Sequence, residues 1–138
     1  YSFKLMLEDR TIEIWAYNLE TVLAEKMETV ISRNVTNTRM RDFYDIYILQ
    51  KLHMEQLKKE VLWNALAATA RKRGTLEQIE SADIREIFNE VESSSVMEEL
   101  WKTYQKNYAY AADIPWHAII KSIRTLYEMI YRERFKDE

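Results

Sequence analysis

One lysine and two aspartates lie where a helical chain would bring them together. Residues 17–49 have the apolar spacing of two helices separated by a short polar break. Lys26 falls inside the apolar stripe of the first helix, four residues after Val22 and four before Val30, so its stem must leave toward the core. An unpaired ammonium is costly there, and the spacing therefore predicts an anionic partner.

The second helix supplies two carboxylates that can meet this lysine. Asp42 and Asp45 are three residues apart and project from one face of the helix near its start. Arg39 and Arg41 allow a plainer interpretation, because the pairs Arg39–Asp42 and Arg41–Asp45 have the spacing of ordinary surface ion pairs. The residues alone leave both interpretations open.

The same two segments resemble a known protein family. LETVLAEK at 19–26 and NTRMRDFYD at 37–45 look like the latter half of the AbiEii/AbiGii toxin family, the nucleotidyltransferases of bacterial abortive-infection and toxin–antitoxin systems. Weaker resemblance at 65–75 and 101–104 extends it over nearly the whole chain. The combination of an "AEK" helix with an "NTRxRDFYD" helix at the family's separation makes the resemblance specific.

The resemblance implies roles for five side chains. Lys26 would contact nucleotide phosphates, and Asp42 or Asp45 would be the functional carboxylate. Glu25 and Arg41 also match the family pattern and are candidate substrate-binding residues, with Arg41 a candidate for orienting Asp45. Nucleotidyl transfer depends on positioning and charge neutralisation, which agrees with a lysine and a carboxylate in these roles.

The resemblance also implies cofactors and partners. In the family, a glycine-serine element and an Asp-x-Asp pair on a polymerase-β-like sheet bind Mg²⁺ and a nucleoside triphosphate, and this sequence contains neither element. Because the chain also starts at Tyr1, we expect it to be the C-terminal part of a longer protein, inactive alone and without a bound cofactor. The full-length protein would transfer nucleotides to an RNA or protein acceptor and could bind an antitoxin.

For the fold, the sequence predicts a mainly α-helical bundle preceded by a β-hairpin. Residues 1–17 alternate apolar and polar positions around a polar turn at Glu8–Arg10, which is typical of a hairpin and would form the end of a nucleotidyltransferase sheet in an α+β fold. Residues 18–138 would form a helical domain of about six helices. One glycine and one proline in 138 residues favour long helices.

Composition sets limits on the remaining possibilities. The chain has no cysteine, a formal net charge of -3, no apolar run of membrane-spanning length and no visible signal peptide. We expect a cytoplasmic protein without a membrane partner, in which any RNA contact depends on local basic patches.

Two other functions fit the sequence. A non-catalytic helical module that binds an antitoxin or another protein would show an exposed aromatic patch at residues 101–110, with Lys26 turned to solvent. A nucleic-acid-binding domain would need the basic triplet Arg71–Arg73 and the cations of residues 121–134 on one face. The triplet has a structural explanation as well, because cations before Gly74 suit the negative end of a helix.

Overall fold

In the computed structural model, the chain is described for residues 6–80 and 84–132, with side chains from residue 19 onward. Seven α-helices and three short 3₁₀ turns make up this part of the chain. The helices are α1 (Met6–Arg33), α2 (Met40–His53), α3 (Lys59–Arg73), α4 (Leu76–Glu80), α5 (Ile84–Ser93), α6 (Ser95–Asn107) and α7 (Trp116–Tyr131). The prediction of a mainly helical chain is therefore confirmed.

The predicted β-hairpin is not supported. Residues 6–17 are helical and continue into the rest of α1, and no strand occurs in the described ranges. Residues 1–5, which hold the start of the predicted hairpin, lie outside them. The physical reason is that the predicted turn at Glu8–Arg10 has no glycine or proline, and Asp9 alone does not break a helix.

α1 packs against four of the other helices. It contacts α2, α3, α4 and α5, while α7 packs on α2, α3 and α5 from another direction. The stripe predicted for α1 is buried at Leu19, Leu23, Met27, Val30 and Ile31. Their burial between α1 and its neighbours joins the bundle into one hydrophobic core.

Two helices, α1 and α3, are each followed directly by a residue with a positive φ angle. α1 ends at Arg33, and Asn34 follows with a positive φ of 35°. α3 ends at Arg73, and Gly74 adopts the left-handed conformation with φ 76° while its N–H bonds to the carbonyls of Ala70 and Arg71. Glycine meets this conformation at no steric cost, which explains why the only glycine of the sequence stands there.

The C-terminal half is fixed by a cap and by buried aromatic side chains. Ser94 accepts a hydrogen bond from the Met97 N–H and so caps α6, which is a common role of serine at the start of a helix. Trp101 on α6 is buried and donates from Nε1 to the carbonyl of Ile114, just before Pro115 and the start of α7. The aromatic stripe of α6 is thus core at Trp101, whereas Tyr108 and Tyr110 beyond the helix are exposed.

Candidate functional site

Lys26 meets both aspartates. Its Nζ lies 3.0 Å from Oδ2 of Asp45 and 3.4 Å from Oδ1 of Asp42. The side chains of Asp42 and Asp45 are 7% and 2% exposed, and that of Lys26 is 14% exposed. The carboxylates are therefore buried partners of an inward lysine, and of the two surface pairs in the plainer interpretation only Arg39–Asp42 is present.

The start of α2 brings the two aspartates to this position. Asn37 is buried, and its Oδ1 accepts a hydrogen bond from the Arg39 N–H at 3.0 Å, which orders the chain just before the helix. Asp42 then falls in the first turn of α2, where the helix dipole favours a carboxylate. Arg39, 69% exposed, places Nε 3.8 Å from Oδ2 of Asp42 and adds a second cation to the cluster.

The lysine–aspartate cluster opens into a charged cleft of about 470 Å³. One wall is the face of α1 between Glu25 and Arg33, a second is formed by Arg39 and Asp42 at the start of α2, and a third by Arg73 and Thr75 after the turn of α3. Asp45 is not among the lining residues, so it supports Lys26 from behind the wall. A cleft of this volume lies in the range of small-molecule sites.

The lining is rich in charge. Four lining residues are cations and three are carboxylates, namely Lys26, Arg33, Arg39 and Arg73, and Glu25, Glu28 and Asp42. Such a surface differs from the apolar lining of most drug-like pockets and suits a polar, anionic ligand such as a phosphate chain.

Glu28 is a site residue that the sequence predictions did not include, and Arg73 entered them only as part of the basic triplet Arg71–Arg73, a candidate nucleic-acid contact. Glu28 lies four residues after Ala24 and three before Ile31, which is the same inward position that drew attention to Lys26. Arg73 belongs to the basic triplet at the end of α3, whose charge has a sufficient explanation in the helix dipole. In the structure these two side chains form an ion pair at one edge of the cleft.

The two remaining candidate residues, Glu25 and Arg41, differ in their position relative to the cleft. Glu25 is exposed and lines the cleft, whereas Arg41 does not. The Arg41–Asp45 pairing expected from the i, i+4 spacing is replaced by the Lys26–Asp45 contact, and Arg41 Nε is buried without a hydrogen-bond partner among the described residues. Arg41 instead lies close enough to Tyr104 for its charge to act on that phenol.

Tyr44 and Tyr104 lie close enough to Asp45 for its charge to act on their phenols. Tyr44 packs against Tyr110 with ring centroids 4.7 Å apart, and the hydroxyls of Tyr104 and Tyr110 are 2.7 Å apart. Burial is the main cause that raises the pKa of Tyr44 and Tyr104 above the ordinary value, and the negative charge of Asp45 adds to it in both. These phenols therefore stay protonated near neutral pH.

Taken together, the fold and site define a helical domain that presents a lysine and carboxylates at a cleft lined by charges of both signs. The family model described as the nucleotidyl transferase AbiEii toxin of type IV toxin–antitoxin systems matches residues 1–128 of the 138-residue chain. The chain therefore belongs to this family of nucleotidyltransferase toxins, and the resemblance seen in the sequence is confirmed. No curated protein and no solved structure matches the chain.

None of the described helices combines the length and the apolar character that crossing a membrane requires.

Proposed function

We propose that Lys26 binds the phosphates of a nucleoside triphosphate, and that the full-length toxin transfers the nucleotide to an RNA or protein acceptor. The observation that carries this proposal is the contact of Lys26 Nζ with two buried carboxylates at the wall of a charged cleft. A lysine fixed in this way presents a positioned charge to a phosphate chain, which is the main protein contribution in phosphoryl-type transfer. We expect the reaction to take place in the cytoplasm, which contains nucleoside triphosphates and RNA.

The transfer would follow an in-line displacement. The acceptor hydroxyl attacks the α-phosphorus, the bond from that phosphorus to the bridging oxygen of the β-phosphate breaks, and pyrophosphate leaves. The hydroxyl proton passes to a carboxylate, and we assign this role to Asp42 because it lines the cleft. Asp45, buried behind the wall, would be a positioning residue that acts through Lys26.

Glu25 and Arg41 receive different roles in the proposal. Glu25 lines the cleft, where a carboxylate would accept hydrogen bonds from hydroxyl groups of the nucleotide or the acceptor. Arg41 does not line the cleft, so we propose a supporting role on the side of Tyr104.

The family implies Mg²⁺, and the residues of this cleft do not fit a magnesium site. Both carboxylates of the cluster are engaged by Lys26. No group of three or more His, Cys, Asp or Glu side chains is arranged to hold a metal ion within residues 6–80 and 84–132. The steps proposed for Lys26, Asp42 and Asp45 therefore involve no metal ligand among these residues.

The antitoxin-binding module is the second candidate, and one observation favours it. Tyr108 and Tyr110 are exposed beside the partly buried Tyr104 and could contact a protein partner. Its other requirement, a solvent-facing Lys26, is not met. A toxin can carry both functions, because this aromatic patch and the cleft use different residues.

The proposal is tested by titrating the full-length protein with each of the four ribonucleoside triphosphates in the presence of magnesium. Lys26→Gln keeps a donor for the two carboxylates and removes the charge, and it should weaken binding about tenfold or more, as the loss of a charge-assisted hydrogen bond does. Lys72→Gln removes an exposed charge from α3 outside the cleft and serves as the matched control.

Circular dichroism of both variants checks that they are folded. If folded Lys26→Gln binds triphosphates as tightly as the parent protein, Lys26 is structural and the interaction module becomes the better proposal. The 138-residue chain alone should bind triphosphates poorly and should not catalyse transfer.

A further inference from the structure

Glu28 is a buried carboxylate with two partners at the edge of the cleft. Its side chain is 3% exposed, Oε2 accepts a hydrogen bond from Thr75 Oγ1 at 2.9 Å, and Oε1 pairs with Arg73 Nη1 at 2.5 Å. The contact joins α1 to the turn after α3. Because each of its oxygens has a partner, Glu28 is well satisfied in its buried position.

The guanidinium of Arg73 has fewer of its donors bonded to described residues than it could have. Both of its hydrogen bonds to described residues leave from Nη1, to Glu28 and to Thr29 Oγ1. Nε and Nη2 donate to no described residue, and the side chain is 44% exposed in the lining of the cleft. An arginine held by one nitrogen keeps an oriented pair of donors for a second anion.

We propose that Arg73 is a phosphate-binding residue of the cleft, oriented by Glu28 and Thr29, that contacts the triphosphate bound by Lys26. The inference rests on the proposed function, because it assigns a second contact to the same ligand. Arg73 and Lys26 line one cleft, and a triphosphate chain carries enough charged oxygens for both. The planar fork of arginine suits two oxygens of one phosphate, while lysine supplies a point charge.

A purely structural role for the Glu28–Arg73 pair makes a different prediction. A pair that only joins α1 to α3 needs one contact and no ligand, so its replacement would change stability and leave phosphate binding intact. The substitution must therefore remove the guanidinium without leaving a buried, unpaired carboxylate, which would itself destabilise the fold.

The test uses the double variant Glu28→Gln/Arg73→Gln in the full-length protein. This change removes one negative and one positive charge, so the net charge is unchanged, and the two amides can still form a hydrogen bond. The probe is inorganic triphosphate, which has no base and so avoids any nucleotide preference. We expect its dissociation constant to rise about tenfold or more, as the loss of a charge-assisted contact predicts.

Two further variants separate the possible explanations. Arg71→Gln removes the same kind of side chain from the same turn of α3, outside the cleft, and should change the dissociation constant less than about twofold because an exposed charge at that distance is screened. Arg73→Lys keeps the charge and can still pair with Glu28, but it loses the fork and should bind inorganic triphosphate several-fold more weakly.

The outcomes distinguish this inference from the proposal on which it rests. If Lys26→Gln weakens binding and the folded double variant binds like the parent, Arg73 is structural and only this inference is overturned. If the parent protein does not bind inorganic triphosphate or any nucleoside triphosphate, the proposed function fails and this inference fails with it.

Discussion

Asp42 and Asp45 hold the same lysine but differ in access to the cleft, so their removal should have different consequences. Asp45→Asn replaces the more deeply buried partner and should lower the free energy of unfolding by about 1–3 kcal/mol, the usual loss for a buried charged hydrogen bond. Asp42→Asn should cost less stability, because the Asp42 side chain borders the open cleft and its contact with Lys26 is longer. Urea denaturation measures both changes.

The same two variants should rank in the opposite order in catalysis. Asp42→Asn removes the proposed proton acceptor and should lower kcat of nucleotide transfer by about a hundredfold or more, the usual contribution of general-base catalysis. Asp45→Asn acts through Lys26 and should mainly raise KM for the triphosphate. Equal losses in kcat for the two variants would contradict the division between a lining and a positioning carboxylate.

At the residue scale, the sequence predicted the contact of Lys26 with the two aspartates but not the nearby Glu28–Arg73 ion pair. The position of Lys26 in the apolar stripe required an anionic partner, and the structure supplies Asp42 and Asp45. Glu28 occupied an equally inward position, so the same rule could have found it. Arg73 could not be found in this way, because its partner is forty-five residues away and its charge fits the helix dipole without any partner.

At the scale of elements, the turn after α3 depends on Gly74, which lies between the cleft residues Arg73 and Thr75. Gly74 has φ 76°, and a methyl group added to its Cα would meet no atom within 4 Å. Gly74→Ala should therefore destabilise the protein by about 1–2 kcal/mol through the left-handed backbone alone. Gly74→Asn is the matched control and should cost less, because asparagine tolerates this conformation.

Urea denaturation of the two Gly74 variants provides the measurement. A loss of stability in Gly74→Asn as large as that in Gly74→Ala would mean that the cost does not come from the backbone conformation. Because Arg73 and Thr75 flank Gly74, Gly74→Ala should also weaken binding of inorganic triphosphate if Arg73 contacts this ligand.

The helices and the hairpin show what local signals determine. The ends of α1 and α3 and the cap of α6 depend on residues next to them, and all three were predictable. The hairpin prediction is wrong at residues 6–17, because alternation over a few residues also fits a helix when no glycine or proline separates the two halves. Helical residues 6–17 then extend α1 to 28 residues.

At the scale of the whole molecule, the cleft depends on contacts that no single segment specifies. Its walls come from the middle of α1, the start of α2 and the end of α3, and the packing of α1 against both other helices brings them together. Periodicity indicates which face of each helix is buried, but not which helices are neighbours. The sequence therefore predicted the lysine–aspartate cluster more easily than the cleft into which it opens.

The stability of the whole bundle should also depend on alkaline pH through Tyr44 and Tyr104. An unfolded tyrosine ionises near pH 10, and burial, as the first cause, raises the pKa of both phenols in the folded protein. Above about pH 10 the unfolded chain loses these protons while the native protein retains them. Their contribution is therefore fully present below that pH and is lost as the pH rises toward the folded pKa values.

The expected loss is at most about 1.4 kcal/mol per pH unit for each tyrosine. Urea denaturation of the parent and of Tyr44→Phe/Tyr104→Phe, from about pH 8 to about pH 11, measures it. The double variant also loses the Tyr104–Tyr110 hydrogen bond, which lowers its stability at every pH and does not change the slope. Its stability should fall less steeply above pH 10, whereas parallel curves would show that these phenols are not shielded by the fold.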